Sequence, residues 1–256
     1  MIQKDSTTLY GEPIIEIAGL CKSFGDNQVL NGFNLTVKRG ENVVVLGKSG
    51  CGKSVLIKCI VGLLKYEEGS LKVFEKEISQ LKQKELDEMR ARIGFVFQSS
   101  ALYDSMTVKE NLEFSLRRHG KDKSKQEVDQ LVEEMLENVG LLNAINLMPS
   151  ELSGGMRKRI GLARALILKP ELVLYDEPTT GLDPITAEEI SNLMLAMQHK
   201  YNTSSIIISH DMYCARLTAN RLAVMIDGTN YAEGSYAQLS ANTDPKVSAF
   251  FQRNKL

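Results

Sequence analysis

The segment with the strongest structural signal in this chain is Gly47-Lys48-Ser49-Gly50-Cys51-Gly52-Lys53-Ser54. An apolar run at 43–46 precedes it and an apolar run at 55–61 follows, which predicts a strand, a loop and a helix in that order. The spacing is typical of a phosphate-binding loop, in which glycines let successive backbone N–H groups point at one anion. The N-terminal end of the following helix adds a favourable partial positive charge. We therefore expect the chain to bind a nucleoside triphosphate.

Two side chains of this segment suit the chemistry of a triphosphate. Lys53 supplies a cation for the terminal phosphates, and Ser54 supplies a hydroxyl for Mg²⁺. The alternative is a chance glycine-rich turn, expected in about one chain in a hundred of this length, and the strand–helix context makes it rarer. The nucleotide-binding residues predicted in the loop are Gly47, Lys48, Ser49, Gly50, Cys51, Gly52, Lys53, Ser54 and Val55.

Cys51 stands near a helix N-terminus and Lys53, surroundings that lower the pKa of a thiol. We therefore predict that alkylation of Cys51 inactivates the protein and that the bound nucleotide protects it. The alternative is that the thiol packs inward and is inert.

The composition is that of an ordinary globular protein. The chain has 256 residues, 43% of them hydrophobic and 25% charged, enough for one large domain or a domain with an inserted lobe. Lys and Arg number 31 against 32 Asp and Glu, so no global field favours nucleic acid. The apolar runs are too short to span a bilayer, and residues 1–8 lack the apolar core of a signal peptide. The four cysteines show no zinc-binding spacing, which suits a reducing compartment.

Strand and helix patterns alternate along most of the chain, which predicts a mainly parallel sheet with helices on both faces. Strand patterns cover 14–17, 29–37, 43–46, 69–74, 93–97, 172–175, 205–209 and 221–226. Helical patterns cover 81–91, 108–118, 126–139, 155–167, 185–199 and 212–218. Between about 107 and 168 the pattern is almost wholly helical, which indicates an inserted helical lobe. Thr107 and Glu110 fit a capping box at its first helix.

Near the C-terminus, Val247, Phe250 and Phe251 fit one apolar face of a last helix. We expect this face to pack on its own domain in preference to another molecule.

An apolar strand pattern ends in two acids, Asp176 and Glu177. The carboxyl ends of strands are where open α/β sheets bind ligands, so Asp176 is placed to reach Mg²⁺. Glu177 is placed to polarise the attacking water. The alternative is that the acidic pair caps the next helix. The phosphate-binding loop upstream favours the functional interpretation.

A second anion-binding signal occurs at Leu152-Ser153-Gly154-Gly155-Met156, ahead of a helical run. A hydroxyl and free N–H groups at a helix start suit a phosphate. Two such helix starts for one nucleotide make sense if two copies meet head to tail and each completes the other's site.

Together with Gln98, Gly181-Leu182-Asp183 and His210, these motifs stand in the order and spacing of the nucleotide-binding subunits of ABC transporters. The chain resembles that family over nearly its whole length. The Leu-Ser-Gly-Gly signature is the specific element, because a phosphate-binding loop alone also fits kinases, GTPases and helicases. The resemblance implies ATP hydrolysis with Mg²⁺ in a head-to-tail homodimer. Each ATP would lie between the loop of one subunit and Ser153, Gly154 and Gly155 of the other.

The resemblance also implies an α/β fold, a P-loop NTPase (RecA-like) core with an N-terminal antiparallel β subdomain and an inserted helical subdomain. The core would cover about 12–98 and 166–240 and the helical subdomain about 99–165. A short C-terminal helical extension would cover about 241–256, after an N-terminal tail at 1–11. The whole of 12–256 would form a single ATPase domain.

Further residue roles follow from the family's motifs. Phe24 would stack on adenine, where the family more often has Tyr. Gln98 would bind Mg²⁺ or water, Asp183 would contact the opposite subunit, and His210 would reach the γ-phosphate; taken alone, His210 would more often be structural. The implied catalytic set is Glu177, His210 and Lys53, and the implied metal set is Ser54, Gln98 and Asp176.

A narrower resemblance is carried by residues 98–108, 152–159 and 174–184, which are similar to the ATPases of Mla-type phospholipid transporters. It implies an integral membrane permease and an MCE-type lipid-binding protein as partners, and no nucleic acid. The subunit would be cytoplasmic, on the inner face of the cell membrane through the permease. The alternatives are an ABC ATPase for another solute, or a soluble ABC ATPase of translation, DNA repair or iron–sulfur assembly.

The loop that follows Gln98 contains three large apolar residues, Leu102, Tyr103 and Met106. Side chains of this kind are normally buried. We predict that they line a groove for a short helix of the permease. The alternative is that all three pack against the helices of their own lobe.

Overall fold

The computed structural model describes residues 11–119 and 123–252, which form two β-sheets with helices packed against them. The strands are β1 (Pro13–Phe24), β2 (Asn27–Lys38), β3 (Asn42–Gly47), β4 (Glu68–Val73), β5 (Lys76–Glu77), β6 (Ile93–Val96), β7 (Leu172–Asp176), β8 (Ser204–Ser209), β9 (Arg221–Ile226) and β10 (Thr229–Gly234). The helices are α1 (Lys53–Ile60), α2 (Gln83–Ala91), α3 (Val108–His119), α4 (Lys125–Asn138), α5 (Gly154–Leu166), α6 (Pro184–Tyr201), α7 (Met212–Thr218), α8 (Tyr236–Ser240) and α9 (Pro245–Gln252). The expected N-terminal tail lies outside the described residues except for Gly11, as do residues 253–256 of the expected extension.

The larger sheet has the order β10-β9-β3-β8-β7-β6, and all its neighbouring strands are parallel except β10 with β9. Residues of β3 alternate between two hydrophobic cores, Val44 and Leu46 in one, Val43 and Val45 in the other. Burial on both faces explains why these strands read as continuous apolar runs. The parallel sheet predicted from the sequence is confirmed, and it brings the carboxyl ends of β3, β6, β7 and β8 to one edge.

The smaller sheet is antiparallel, with the order β2-β1-β4-β5. The sequence predicts only a short first strand at 14–17, whereas β1 continues to Phe24. The pairing of β1 with β2 shifts register after Ile17, after Leu20 and after Lys22. These irregularities break the strict alternation of buried and exposed residues that identifies a strand in a sequence. The buried face of this sheet and one face of the larger sheet share a core.

The segment between β6 and β7 is helical, as predicted, and contains α3, α4 and α5; its described residues, 97–119 and 123–171, include no strand. Thr107 and Glu110 form the predicted capping box, since the Glu110 N–H donates to Thr107 Oγ1 (3.2 Å) and Glu110 Oε2 accepts from the Thr107 N–H (2.8 Å). The three helices share a core that includes Leu112, Val132 and Ile160. The boundaries expected for the helical subdomain stay a prediction.

The C-terminal helix α9 packs on the rest of the chain. Val247 is fully buried, and Phe250 and Phe251 pack against the same core as α3–α5. The predicted helix and its packing on its own domain are confirmed. In the part of the chain that the structure covers, no helix is long and apolar enough to cross a membrane.

Candidate nucleotide-binding site

A cavity of about 1120 Å³ opens at the carboxyl edge of the parallel sheet. Its walls are formed by Val29, Gly47, Lys48, Ser49, Gly50, Gly52, Lys53, Ser54, Val55, Gln98, Asp176, Glu177, Ile208, His210, Met212, Ala249 and Phe250. The cavity thus brings together the predicted phosphate-binding loop, apart from Cys51, with Gln98, the two acids and His210. Residues far apart in the sequence, from Val29 to Phe250, meet here because β3, β8, β7 and β6 lie side by side in the sheet and end at the same edge.

The loop between β3 and α1 depends on glycine at two positions. A side chain on Gly47 would place its Cβ 2.4 Å from Cys51 Sγ and 3.0 Å from the Met225 carbonyl oxygen. Gly52, which precedes α1, has φ of 109° and leaves only 2.8 Å between an added Cβ and the Val29 carbonyl oxygen. Both positions therefore exclude larger residues, and the chain turns directly from the strand into the helix that begins at Lys53.

Lys53 lies against its own loop. Its ammonium donates to the carbonyl oxygens of Gly47 (2.7 Å) and Lys48 (2.9 Å), and the residue is only 7% exposed. Burial of an ammonium is costly unless its N–H groups find acceptors, and these two carbonyls satisfy two of its three. The cation is thereby held in the loop whose backbone surrounds the cavity.

The expectation that Cys51 has a lowered pKa is wrong. Burial raises the pKa of its thiol, and the opposing charge of Lys53 does not outweigh that effect. The thiol lies in the space that the missing side chain of Gly47 leaves, and Cys51 is absent from the residues that line the cavity. The structure therefore agrees with the alternative, in which the Cys51 thiol packs inward.

The hydroxyl of Ser54 and the carboxylate of Asp176 meet in the cavity. Ser54 Oγ donates to Asp176 Oδ1 at 3.5 Å. Burial, followed by the negative charge of Glu177, raises the pKa of Asp176. An anion that is desolvated and repelled in this way gains from a nearby cation, and hydroxyl, carboxylate and amide oxygens are the ligands that Mg²⁺ prefers. Ser54, Asp176 and the cavity-lining Gln98 therefore fit a divalent cation.

Glu177 is held in a fixed orientation at the cavity wall. Its backbone has φ of 49°, in the left-handed region, and its N–H donates to the Ile208 carbonyl oxygen at 2.9 Å. Its Oε2 lies 2.7 Å from His210 Nδ1 and accepts from the Thr180 hydroxyl at 3.2 Å. Non-glycine residues in this backbone region carry strain that the surrounding contacts must offset. A carboxylate and an imidazole are thus positioned side by side.

The remaining predicted residues lie elsewhere on the chain. Phe24, 49% exposed at the end of β1, does not line the cavity. Ser153 and Gly154 are exposed at the start of α5, where Ser153 Oγ accepts from the Met156 N–H at 3.2 Å. Asp183 is also exposed and caps α6.

The signature and the Asp183 turn lie side by side. A Cβ on Gly155 would stand 2.8 Å from Thr186 Cγ2, and Thr186 in turn donates its hydroxyl to Asp183 Oδ2 at 2.6 Å. Glycine at 155 therefore permits the two segments to approach. None of these residues lines the cavity of the same chain.

Sequence reasoning missed the apolar residues of the cavity: Val29, Ile208, Met212, Ala249 and Phe250. No sequence motif includes Val29, Ile208 or Met212. Only the fold shows that they line the cavity. The apolar face of α9 is visible in the sequence, but its approach to the phosphate-binding loop is not. Lys158 was also missed, although it contacts two of the predicted residues.

Comparison with known proteins agrees with this geometry. The family described as ABC transporter matches residues 30–180. The intermembrane phospholipid transport ATP-binding protein MlaF of Haemophilus influenzae is 38% identical over 93% of this chain and 90% of that protein. The probable ribonucleotide transport ATP-binding protein mkl of Mycobacterium tuberculosis is 38% identical over 94% of this chain and 67% of that protein. The methionine import ATP-binding protein MetN of Rhizobium johnstonii is 36% identical over 96% of this chain and 68% of that protein.

Among solved structures, the dimeric cassette MJ0796 in a post-hydrolysis state with ADP and Pi has a TM-score of 0.78 and 31% identity. It covers 86% of this chain and 98% of its own. Fold and site together define a P-loop NTPase that binds and hydrolyses ATP. The chain belongs to the ABC transporter family, as an ATP-binding subunit.

Proposed function

We propose that this subunit powers phospholipid transport. The observation that carries the proposal is the similarity to MlaF, 38% over 93% of this chain, together with the Mla-like segments 98–108, 152–159 and 174–184. The relatives named for ribonucleotide and methionine transport are 38% and 36% identical, so another solute is the second candidate. The proposed partners are an integral membrane permease and an MCE-type lipid-binding protein, which would hold the subunit on the inner face of the membrane.

We propose further that two copies form a head-to-tail homodimer with two composite sites. The signature residues Ser153–Gly155 offer a helix N-terminus suited to phosphate, yet Ser153 and Gly154 are exposed and none of the three lines the cavity of its own chain. A second copy related by a two-fold axis would bring them over that cavity, with Asp183 beside them. The dimeric state of MJ0796 supports this arrangement.

In the proposed reaction, Glu177 polarises the attacking water and His210 orients the carboxylate and contacts the γ-phosphate. Lys53 and the N–H groups of the loop hold the phosphates, and the exposed ring of Phe24 stacks on adenine. Ser54, Asp176 and Gln98 would hold Mg²⁺, which would supply positive charge beside the phosphates. The hydrogen bonds from His210 and Thr180 already fix the carboxylate, so little reorganisation is needed before the reaction.

We propose that the permease docks beside the segment after Gln98. Tyr103 is 44% exposed, and its ring centre lies 4.9 Å from that of Phe114, itself 37% exposed. The buried Asn111 fixes this loop: its Oδ1 accepts from the Tyr103 N–H, and its two Nδ2 hydrogens are shared among the carbonyl oxygens of Tyr103, Met106 and Thr107, each 3.0–3.1 Å away. A rigid loop that presents an aromatic pair suits an apolar segment of a partner.

The transport proposal is tested on the complex. The tagged chain is isolated from its native membrane in mild detergent, and the copurifying membrane protein is reconstituted with it in vesicles that contain a fluorescent phospholipid. We expect ATP-dependent transfer of the lipid to acceptor vesicles, absent with Glu177→Gln. Transport or ATPase stimulation by ribonucleotide or methionine, without lipid transfer, would favour the second candidate. Isolation of the subunit without any membrane protein would contradict a transport role.

A further inference from the structure

Lys158 is a buried lysine in the second turn of α5, the helix that starts at the signature. It is 7% exposed, and its ammonium donates to the Gln98 carbonyl oxygen at 2.6 Å and to the Glu177 carbonyl oxygen at 3.4 Å. Lysine is seldom buried unless its donors and charge are compensated. Burial lowers the pKa of this ammonium, while the nearby carboxylates of Glu177 and Asp176 favour its charged form. One side chain thus links the signature helix to two segments of the proposed site.

The two carbonyls belong to equivalent points on neighbouring strands. Val96 of β6 and Tyr175 of β7 are paired in parallel register, so Gln98 and Glu177 each follow their paired residue by two positions. There the chain leaves the sheet, and the backbone carbonyls lose their ladder partners. The N–H of Glu177 is bonded to β8 through Ile208, whereas its carbonyl faces Lys158. Lys158 therefore fixes the side of Glu177 that the sheet does not hold.

Other residues on the same face of α5 hold the segment after Gln98. An added Cβ on Gly161 would be 3.0 Å from Ser100 Cβ, and Arg164 donates to the carbonyl oxygens of Ser100 (3.1 Å) and Ala101 (2.7 Å). Ser100 and Ala101 have φ of 62° and 46°, a conformation that needs such support. Of these three α5 residues, Lys158 is the one that also contacts Glu177.

We propose that Lys158 is a positioning residue that couples the signature helix to Gln98 and Glu177 of its own chain. Because a helix moves as a rigid body, contact of Ser153 with nucleotide bound by the other copy would shift Lys158 and, with it, the backbone of Glu177. The proposal rests on the composite site and on the role of Glu177 proposed above. In this arrangement, nucleotide bound in one composite site of the dimer adjusts the position of the Glu177 carboxylate in the other site.

Lys158→Met tests the donor separately from the packing. The lysine stem packs in a tight apolar region, with a void of only about 10 Å³, among Val96, Leu162, Tyr175 and Met194. Methionine retains the apolar stem, but it removes both the buried charge and the donor to the two carbonyls. These two changes affect stability in opposite directions, so the variant should unfold near the wild-type temperature. Misplacement of a catalytic group by about 1 Å costs up to about 100-fold in rate. We expect kcat to fall roughly 10- to 100-fold, with the Kd for ATP within about twofold of wild type.

Two further variants serve as controls for Lys158→Met. Lys158→Arg keeps a charged donor that reaches two acceptors and should recover most of the lost kcat. Lys84→Met removes a lysine on the exposed face of α2 and should leave kcat unchanged. If Lys158 acted through packing alone, Lys158→Met would keep that packing, so its kcat would stay at the wild-type value and Lys158→Arg would have no loss to recover.

Hydrogen–deuterium exchange of the full-length chain gives a readout that does not depend on hydrolysis. In a Glu177→Gln background, Lys158→Met should raise exchange in peptides covering 97–101 and 176–180, and Lys84→Met should not. Unchanged exchange in both peptides, or wild-type kcat in Lys158→Met, would overturn the proposal. If Glu177→Gln itself retains full turnover, the proposed role of Glu177 fails, while the exchange result still decides whether Lys158 holds the two segments.

Discussion

His210 Nδ1 lies 2.7 Å from Glu177 Oε2, and both side chains face the cavity that contains the phosphate-binding loop. The carboxylate is mostly buried, with 13% of its side chain exposed, whereas the imidazole is 65% exposed. Thr180 donates to the same carboxylate oxygen at 3.2 Å. The acid is therefore fixed from two sides, and the histidine remains accessible to a ligand.

Glu177→Gln should retain ATP binding and lose hydrolysis. The amide keeps the shape of the carboxylate but is not a base, and the loss expected for a general base is about 10²- to 10⁴-fold in kcat. The variant should accumulate as an ATP-bound dimer, measured by size-exclusion chromatography with and without ATP. Glu133→Gln, on an exposed position of α4, is the matched control. Near-normal steady-state ATPase activity in Glu177→Gln would contradict the proposed role.

The sequence predicted the parts of this site that follow from local pattern. The loop at Gly47–Ser54, the apolar strand before Asp176 and the capping box at Thr107 each depend on residues close together in the chain. The parallel sheet then follows from the order of strands and helices, so the fold class was confirmed.

The parts that sequence reasoning missed depend on burial and on distant contacts. The pKa of Cys51 is set by desolvation in the folded loop, which outweighs the charge of Lys53 two residues away. The approach of Phe250 to the phosphate-binding loop and the contacts of Lys158 join segments far apart in sequence. Neither hydrophobic periodicity nor any sequence motif predicts these long-range contacts.

Cys51, Cys59 and Cys214 should react slowly with alkylating reagents near neutral pH. Burial raises the pKa of Cys59 and of Cys214 to about 11, and it also raises that of Cys51. The thiolate is the nucleophile, and only about one thiol in a thousand with a pKa of 11 is ionised at pH 8, so the labelling rate is low. Iodoacetamide labelling, followed by peptide mass spectrometry between pH 7 and 9, should rise about tenfold per pH unit at Cys59 and Cys214. Labelling of Cys51 faster than glutathione at pH 8 would restore the reactive-thiol hypothesis.

Glu171 should make folding stability depend on acid pH. Its carboxylate accepts from Arg92 Nε at 2.6 Å and from Arg39 Nη1 at 2.7 Å, and the hydrogen bond from Arg92 is the main cause of its lowered pKa. A carboxylate with a lowered pKa in the folded state stabilises above its usual pKa, and the effect disappears as pH falls through the lowered value.

Glu171→Gln should therefore lower the free energy of unfolding at pH 7 by about 0.5–1 kcal/mol, a modest amount because the pair is partly exposed. Urea titrations of both proteins should converge as the pH is lowered into the acid range. The control is again Glu133→Gln. A difference that grows on acidification would contradict the assigned sign.

Removal of the aromatic pair should separate ATP binding from assembly with the permease. Tyr103→Ser combined with Phe114→Ser removes the two exposed rings and should leave ATP binding unchanged. Copurification of the permease should fall at least tenfold, because buried aromatic side chains contribute much of the binding energy of an interface. Leu102 is a poorer test, because it is half-buried and packs against the core. Tyr231→Ser is the control, with a ring 42% exposed on β10. Normal assembly and transport by the double variant would place the docking surface elsewhere.

Two inactive variants should restore each other if the sites are composite. Ser153→Arg blocks the signature face, and Lys53→Ala removes the loop cation; each homodimer then has two defective sites. In a mixed dimer both changes fall in one site, and the other site combines a normal loop with a normal signature. Random pairing makes half the dimers mixed, so roughly a quarter of the wild-type nucleotide trapping should return.

The measurement is ATP trapped in dimers of Glu177→Gln carrying one or both further changes, counted after gel filtration. Ser153→Ala separates steric block from loss of the helix cap, since it removes the hydroxyl that accepts from the Met156 N–H without adding bulk. Ser240→Arg, at an exposed position of α8, controls for the added charge. If each chain carried its own complete site, neither chain of the mixed dimer would be intact, because one would lack its lysine and the other its signature. No recovery on mixing would therefore contradict the head-to-tail arrangement, provided that mixed dimers are shown to form by the use of two different affinity tags.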